Sequence, residues 1–115
     1  MASDSESKNR WTTGQVGRLA DLVDYQDEAV VSRTVLKQKA GSVTIFAFDA
    51  SQSLSEHTVP HDAMVQVLEG VVQITIGGTP HRLGAGDAIV MPGNVSHAVQ
   101  AVERFKMALT LIKSQ

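Results

Sequence analysis

After residue 28 the chain is divided by glycine- and proline-bearing breaks into short runs rich in Val, Thr, Ile and Phe, and this punctuation constrains the fold more than any other feature. The runs cover residues 29–36, 42–49, 54–57, 63–68, 71–76, 81–83, 88–91, 97–102 and 106–112. Breaks at Ala40-Gly41, Glu69-Gly70, Gly77-Gly78, Gly84-Ala85-Gly86 and Pro92-Gly93-Asn94 each offer a residue that tolerates positive φ or enforces a turn. Many short strands at even spacing predict an all-β barrel or sandwich, with hairpins as the natural connections and Gly70 ending one hairpin arm. No long helical pattern separates the strands, which argues against a parallel α/β sheet, and neither an internal repeat nor a helix-turn-helix is present. Ahead of the strands, Val16, Leu19, Leu22 and Val23 recur at helical spacing and predict a short N-terminal helical or irregular segment.

A chain of 115 residues fits one domain, and at that size folding hides roughly two thirds of the surface of the unfolded chain. There is no Cys, so disulfides and thiolate metal sites are excluded and any metal must be held by nitrogen and oxygen. Ten Lys and Arg against twelve Asp and Glu leave a formal charge of -2 without a basic cluster, so neither nucleic acid nor an anionic membrane is expected as a partner. Residues 1–12 read as a flexible tail and 13–115 as the single domain, because the Ser, Asp, Glu, Lys and Asn of residues 1–8 cannot bury enough apolar area to offset ordering. The tail holds no apolar run, which predicts a cytoplasmic protein. Trp11 at its end is a candidate to pack over the barrel mouth or on a partner subunit.

Two stretches carry a family resemblance. Residues 57–70 read HTVPHDAMVQVLEG and residues 86–97 read GDAIVMPGNVSH. They resemble the paired motifs of the cupin superfamily, and the flanking strands over 30–112 fit its single-domain members. The resemblance implies an antiparallel double-stranded β-helix, a jelly-roll barrel, around an apolar pocket. Pro92 suits the loop leaving the 88–91 strand, and Asn94, in the family's second Gly position, can adopt the left-handed conformation that Gly usually supplies.

In metal-binding cupins three His and one carboxylate, or a similar set, converge on one ion. His57 matches the first ligand and His97 the last, but Val59 stands where the second His belongs and Ala63 where the acid usually sits. His61 has the parity to face inward, yet an extended strand would carry it about 13 Å from His57, whereas ligands of one Zn lie within roughly 4 Å of each other. Only a bend, which Pro60 favours, would bring it in.

Two readings of the site therefore stand, beside a third in which the domain is chiefly a structural homodimeric unit. In one, His57 and His97, with His61 or water, hold a divalent ion (Zn, Fe, Mn or Ni) that acts on a small organic substrate. In the other, the same His pair lines a metal-free pocket, walled by Val59, Ala63, Val65 and Val67, that binds a small molecule. Burial and a neighbouring positive charge would lower an imidazole pKa into a range useful for proton transfer. No catalytic residue is assigned. Glu56, Asp62 and Glu69 read as ordinary exposed carboxylates, His81 as a hairpin-tip residue, and Gln66 points away from the pocket by parity. Phe46, Phe48, Phe105 and Met107 are expected in core or interface packing. The resemblance also implies a homodimer, expected through the edge strand over residues 30–36.

Overall fold

The computed structural model describes residues 13–113. Nine strands follow a short N-terminal segment: β1 Val30–Gln38, β2 Gly41–Phe48, β3 Ser53–His57, β4 Asp62–Glu69, β5 Val71–Ile76, β6 Thr79–Gly84, β7 Ala88–Met91, β8 His97–Ala101 and β9 Phe105–Ile112. All nine runs anticipated from the sequence are strands, with ends shifted by one or two residues. The all-β jelly roll is thus the observed architecture. Two sheets face each other, one of five strands in the order β1-β2-β9-β4-β7 and one of four in the order β3-β8-β5-β6, and every pairing is antiparallel.

The strand order corrects the expectation that hairpins make the connections. Only β1-β2 and β5-β6 are paired neighbours in both sequence and space; the other six connections carry the chain from one sheet to the other. Gly70, read as the end of a hairpin arm, marks one of these crossings. Its φ is +82°, and a Cβ there would overlap the Arg104 carbonyl, so the chain can turn between sheets at this point only without a side chain.

Alternation decides what lies between the sheets. In β4 the odd positions Ala63, Val65 and Val67 are buried and Asp62, Met64 and Gln66 exposed, the period-2 pattern of a strand with one face on a core. With Phe48, Val72, Ile74, Val99, Phe105 and Met107 these residues form the main core, where the Phe48 and Phe105 rings stack at 4.5 Å. Phe46 packs against this core, half-buried, so the expected role of these aromatics is met.

A second, smaller cluster lies on the outer face of the five-stranded sheet. Ile45, Ala47 and Ala108 are covered there by Leu19, Leu22, Val23 and Tyr25. The N-terminal helix is a single 3-10 turn, Leu19–Leu22, ending before Val23. Val16, the first residue of the apolar spacing, is almost fully exposed and takes no part. Four residues are too few for cooperative α-helix formation, and burial of Leu19, Leu22 and Val23 on the sheet holds the segment instead.

Candidate histidine site

His57 ends β3 and His97 opens β8, and the two are register partners across that strand pair. Cross-strand partners have adjacent side chains, so the imidazoles meet edge to face with centroids 4.3 Å apart. His97 also pairs with Ile76 of β5, which completes a row across the four-stranded sheet. His57 lies exposed on the edge strand, whereas His97 is 5 % exposed.

The two rings are held differently. Nδ1 of His57 lies 2.8 Å from the Ser55 carbonyl; a carbonyl only accepts, so Nδ1 is the donor and Nε2 is the nitrogen left to present a lone pair when the ring holds one proton. Nδ1 of His97 is buried with no hydrogen-bond partner among the described residues. Desolvation pushes the His97 pKa below its ordinary value, positive charge on His57 lowers it further, and a smaller pull from the Val95 carbonyl opposes both. His97 is therefore held toward its neutral form, and its buried Nδ1 lacks the partner that such groups almost always have.

Two loops are fastened beside the pair. Asn94 N–H donates to the Val59 carbonyl at 2.7 Å, and Gly93 N–H donates to Oδ1 of Asp62 at 2.8 Å. A Cβ on Gly93 would come within 2.9 Å of the Pro60 carbonyl oxygen, so glycine permits the close approach. Asn94 has φ of 65°, the left-handed conformation expected of it. Ser96 Oγ donates to the exposed Glu56 carboxylate at 3.2 Å. Asp62 is exposed, as read from the sequence, and is also the acceptor that ties the β7-β8 loop to β4.

Of the wall expected around the pair, Ala63, Val65 and Val67 are buried with the main core and Val59 is half-buried in the loop. Ile76, the register partner of His97, packs on the core and keeps exposed surface. Gln66 points outward, as its parity requires, and His81 is exposed on β6.

The donor set is short of a closed metal centre. Val59 and Ala63 carry no donor atoms, and among the described residues no cluster of three or more His, Cys, Asp or Glu is formed. His61, half-buried in the loop between β3 and β4, does not join His57 and His97 in such a cluster. Two imidazoles, one with its lone pair oriented and one with an unsatisfied nitrogen, fit part of a coordination shell; the protein does not supply the four ligands of a closed tetrahedral site.

Sequence reasoning missed a second polar cluster on the five-stranded sheet, near its opposite end. Tyr25 donates to Oε1 of Glu69 at 2.7 Å, and Lys106 Nζ donates to the Ala20 carbonyl at 2.7 Å and lies 3.7 Å from the same carboxylate. Both Lys106 Nζ and the Arg104 guanidinium sit over the Tyr25 ring, at 5.0 and 5.2 Å from its centroid. Burial first, and then the hydrogen bond to Glu69, raise the Tyr25 pKa strongly. Glu69 is thus a structural acceptor and not the ordinary exposed carboxylate expected. The expected tail over residues 1–12, with Trp11, lies outside the described residues.

Comparison with known proteins places these features in a family. The family model for the cupin domain matches residues 44–112. A conserved protein of unknown function from Streptococcus pyogenes is 34 % identical, with 91 % of this chain and 92 % of that one covered and a TM-score of 0.86. A Cupin 2 conserved barrel domain protein from Leptotrichia buccalis is 37 % identical over 82 % of this chain, with a TM-score of 0.79, but only 46 % of that longer chain is covered. A cupin superfamily protein from Desulfitobacterium hafniense shares the fold at 23 % identity, with a TM-score of 0.84 over 90 % of this chain and 94 % of that one. No curated protein matches. Among the described residues no helix is long and apolar enough to cross a membrane.

Proposed function

Because the chain belongs to the cupin family, we propose that it is a small-molecule-binding domain whose recognition group is the His57–His97 imidazole pair. The observation that carries this reading is the buried, unpartnered Nδ1 of His97. A polar atom left unsatisfied inside a protein costs about 1–3 kcal/mol, and a bound ligand atom that completes its hydrogen bonding recovers that cost. His57 would supply an accepting Nε2 alongside it. Ile76, half-buried and the register partner of His97, offers apolar surface beside the pair, so the ligand class is a small organic molecule with one polar end and an apolar body.

A thermal-shift screen of a broad metabolite panel tests this on protein purified without an affinity tag or chelator. The reading expects at least one compound to raise the melting temperature of the wild type and to lose its effect in His57→Ala and His97→Ala. A panel without a hit, or a hit indifferent to both substitutions, contradicts it.

The tautomer fixed by Ser55 favours a second reading, since a metal-bound imidazole is usually oriented by a hydrogen bond from its other nitrogen. Here His57 and His97 would hold a divalent ion (Zn, Fe, Mn or Ni), with water or the ligand completing the shell. Such an ion would act as a Lewis acid toward a bound oxygen atom. Elemental analysis separates the two readings: near-stoichiometric metal lost in both Ala variants supports the ion, and a metal-free wild type supports the imidazole pair acting alone.

A further inference from the structure

We infer that the molecule held by the His57–His97 pair carries a second polar group, which the Thr79 hydroxyl receives across the apolar surface of Ile76. This rests on the ligand-binding reading above and gives that site its far end. Register carries the row that begins with His57 and His97 onward through Ile76 of β5 to Thr79 of β6. Register partners in antiparallel strands point their side chains to one side of the sheet, so all four share a face. It is the inner face, because Val72 and Ile74 of β5 and Leu83 of β6, which have the parity of Ile76 and Thr79, are buried in the main core.

Burial along β6 shows where this face opens. Leu83 is 4 % exposed, whereas His81 and Thr79, the preceding positions on the same face, are both exposed. The strand therefore leaves the core before it reaches its turn. Gly77 and Gly78 make that turn with φ of +55° and +86°, the left-handed pair of a two-residue hairpin, so Ile76 and Thr79 close it directly opposite each other. Gly77 N–H donates to the Ser96 carbonyl at 2.8 Å, which ties the turn to the residue before His97. The row thus has imidazoles at one end, hydrocarbon in the middle and a hydroxyl at the other end. Neighbouring strands lie about 4.8 Å apart, so His97 and Thr79, two strands apart, are separated by about 10 Å, the span of a linear molecule of roughly six carbons. Thr79 carries no charge and can donate or accept, so the second group is a neutral one such as a hydroxyl or an amide.

NMR titration of the full chain tests the inference by comparing 1,6-hexanediol, whose hydroxyls stand about two strand spacings apart when extended, with 1-hexanol, which lacks the second hydroxyl. Both alcohols should shift the His57 and His97 rings, and the diol should also shift the Thr79 methyl. The diol should bind about ten-fold tighter, about five-fold from one added hydrogen bond and two-fold from its two equivalent ends. Thr79→Val keeps the shape of the side chain and loses its hydroxyl, and should reduce the ratio to about two, the part that the equivalent ends alone supply. Arg82→Ala, on the opposite face of β6, should leave the ratio unchanged. Hexanol that reaches the two rings while the diol binds no more than two-fold tighter, or an advantage that survives Thr79→Val, overturns the inference and leaves the imidazole site standing. Two alcohols that both leave the rings unmoved overturn the inference together with the reading it rests on.

Discussion

Two polar side chains among the described residues are buried, and the molecule treats them in opposite ways. Lys106, 9 % exposed, has a carbonyl acceptor at Ala20, the Glu69 carboxylate nearby and the Tyr25 ring beneath its charge. His97 has a buried nitrogen with no partner and a second imidazole as its neighbour. A buried charge is tolerated when paired and hydrogen-bonded. The Lys106 cluster meets that condition and anchors the N-terminal segment to the sheet. The His97 end instead leaves a buried nitrogen without a partner, the feature on which the proposed ligand reading rests.

Substitutions can break this contrast. The largest effect should come from Lys106→Ala, which removes a cation and its apolar stem and leaves the Ala20 carbonyl and Glu69 without their partner. A loss of about 2–3 kcal/mol is expected by denaturant unfolding, reduced from the fully buried case because Glu69 is partly exposed. Tyr25→Phe removes one hydrogen bond to a charged acceptor and should cost about 1–2 kcal/mol in the same assay. Losses within error for both would show that the cluster is not structural.

His97→Leu should behave differently, because it deletes an unsatisfied polar atom. Stability is expected within about 1 kcal/mol of the wild type, or higher, while ligand binding disappears. The variant also sharpens the pH prediction. Since folding lowers the pKa of His97, the unfolded state binds more protons near and below 6.5, so wild-type stability falls as pH drops from about that value toward the lower folded-state value. His97→Leu should flatten this segment of a melting-temperature profile; an unchanged slope would assign the protons elsewhere.

The smallest effect concerns Asp49. The Arg104 guanidinium, with the N–H groups of Glu28 and Ala50, holds its carboxyl at about 2 against an ordinary 3.8. A depressed carboxylate pKa contributes stability that is present above the unfolded value and is lost as pH falls through the folded one. Asp49→Asn should lower the melting temperature slightly above about pH 4 and flatten the profile between about 4 and 2, and the exposure of Arg104 keeps the effect small.

The sequence exposed what depends on local pattern. Alternation in β4 and the breaks at Gly77-Gly78 and Pro92-Gly93-Asn94 located strands to within a residue or two. It did not distinguish a hairpin from a sheet crossing at Gly70, because positive φ serves both and the choice rests on the approach to Arg104. His57 and His97 were legible through motif spacing, whereas their unequal burial depends on β3 being an edge strand and β8 an inner one. Lys106 was illegible for a related reason: its partners come from residues 20, 25 and 69, and nothing in the local β9 pattern announces them. Its parity with the outward-facing Ala108 was the one available hint that something must cover it.

The account turns on the imidazole pair, so the most direct test is side-chain nitrogen NMR of His57 and His97 at neutral pH, before and after addition of a compound found by thermal shift. It predicts a neutral His97 and an Nδ1-protonated His57 in the unliganded protein, and shifts confined to these two rings on binding. A fully protonated His97, or a ligand that leaves both rings unmoved, would contradict it.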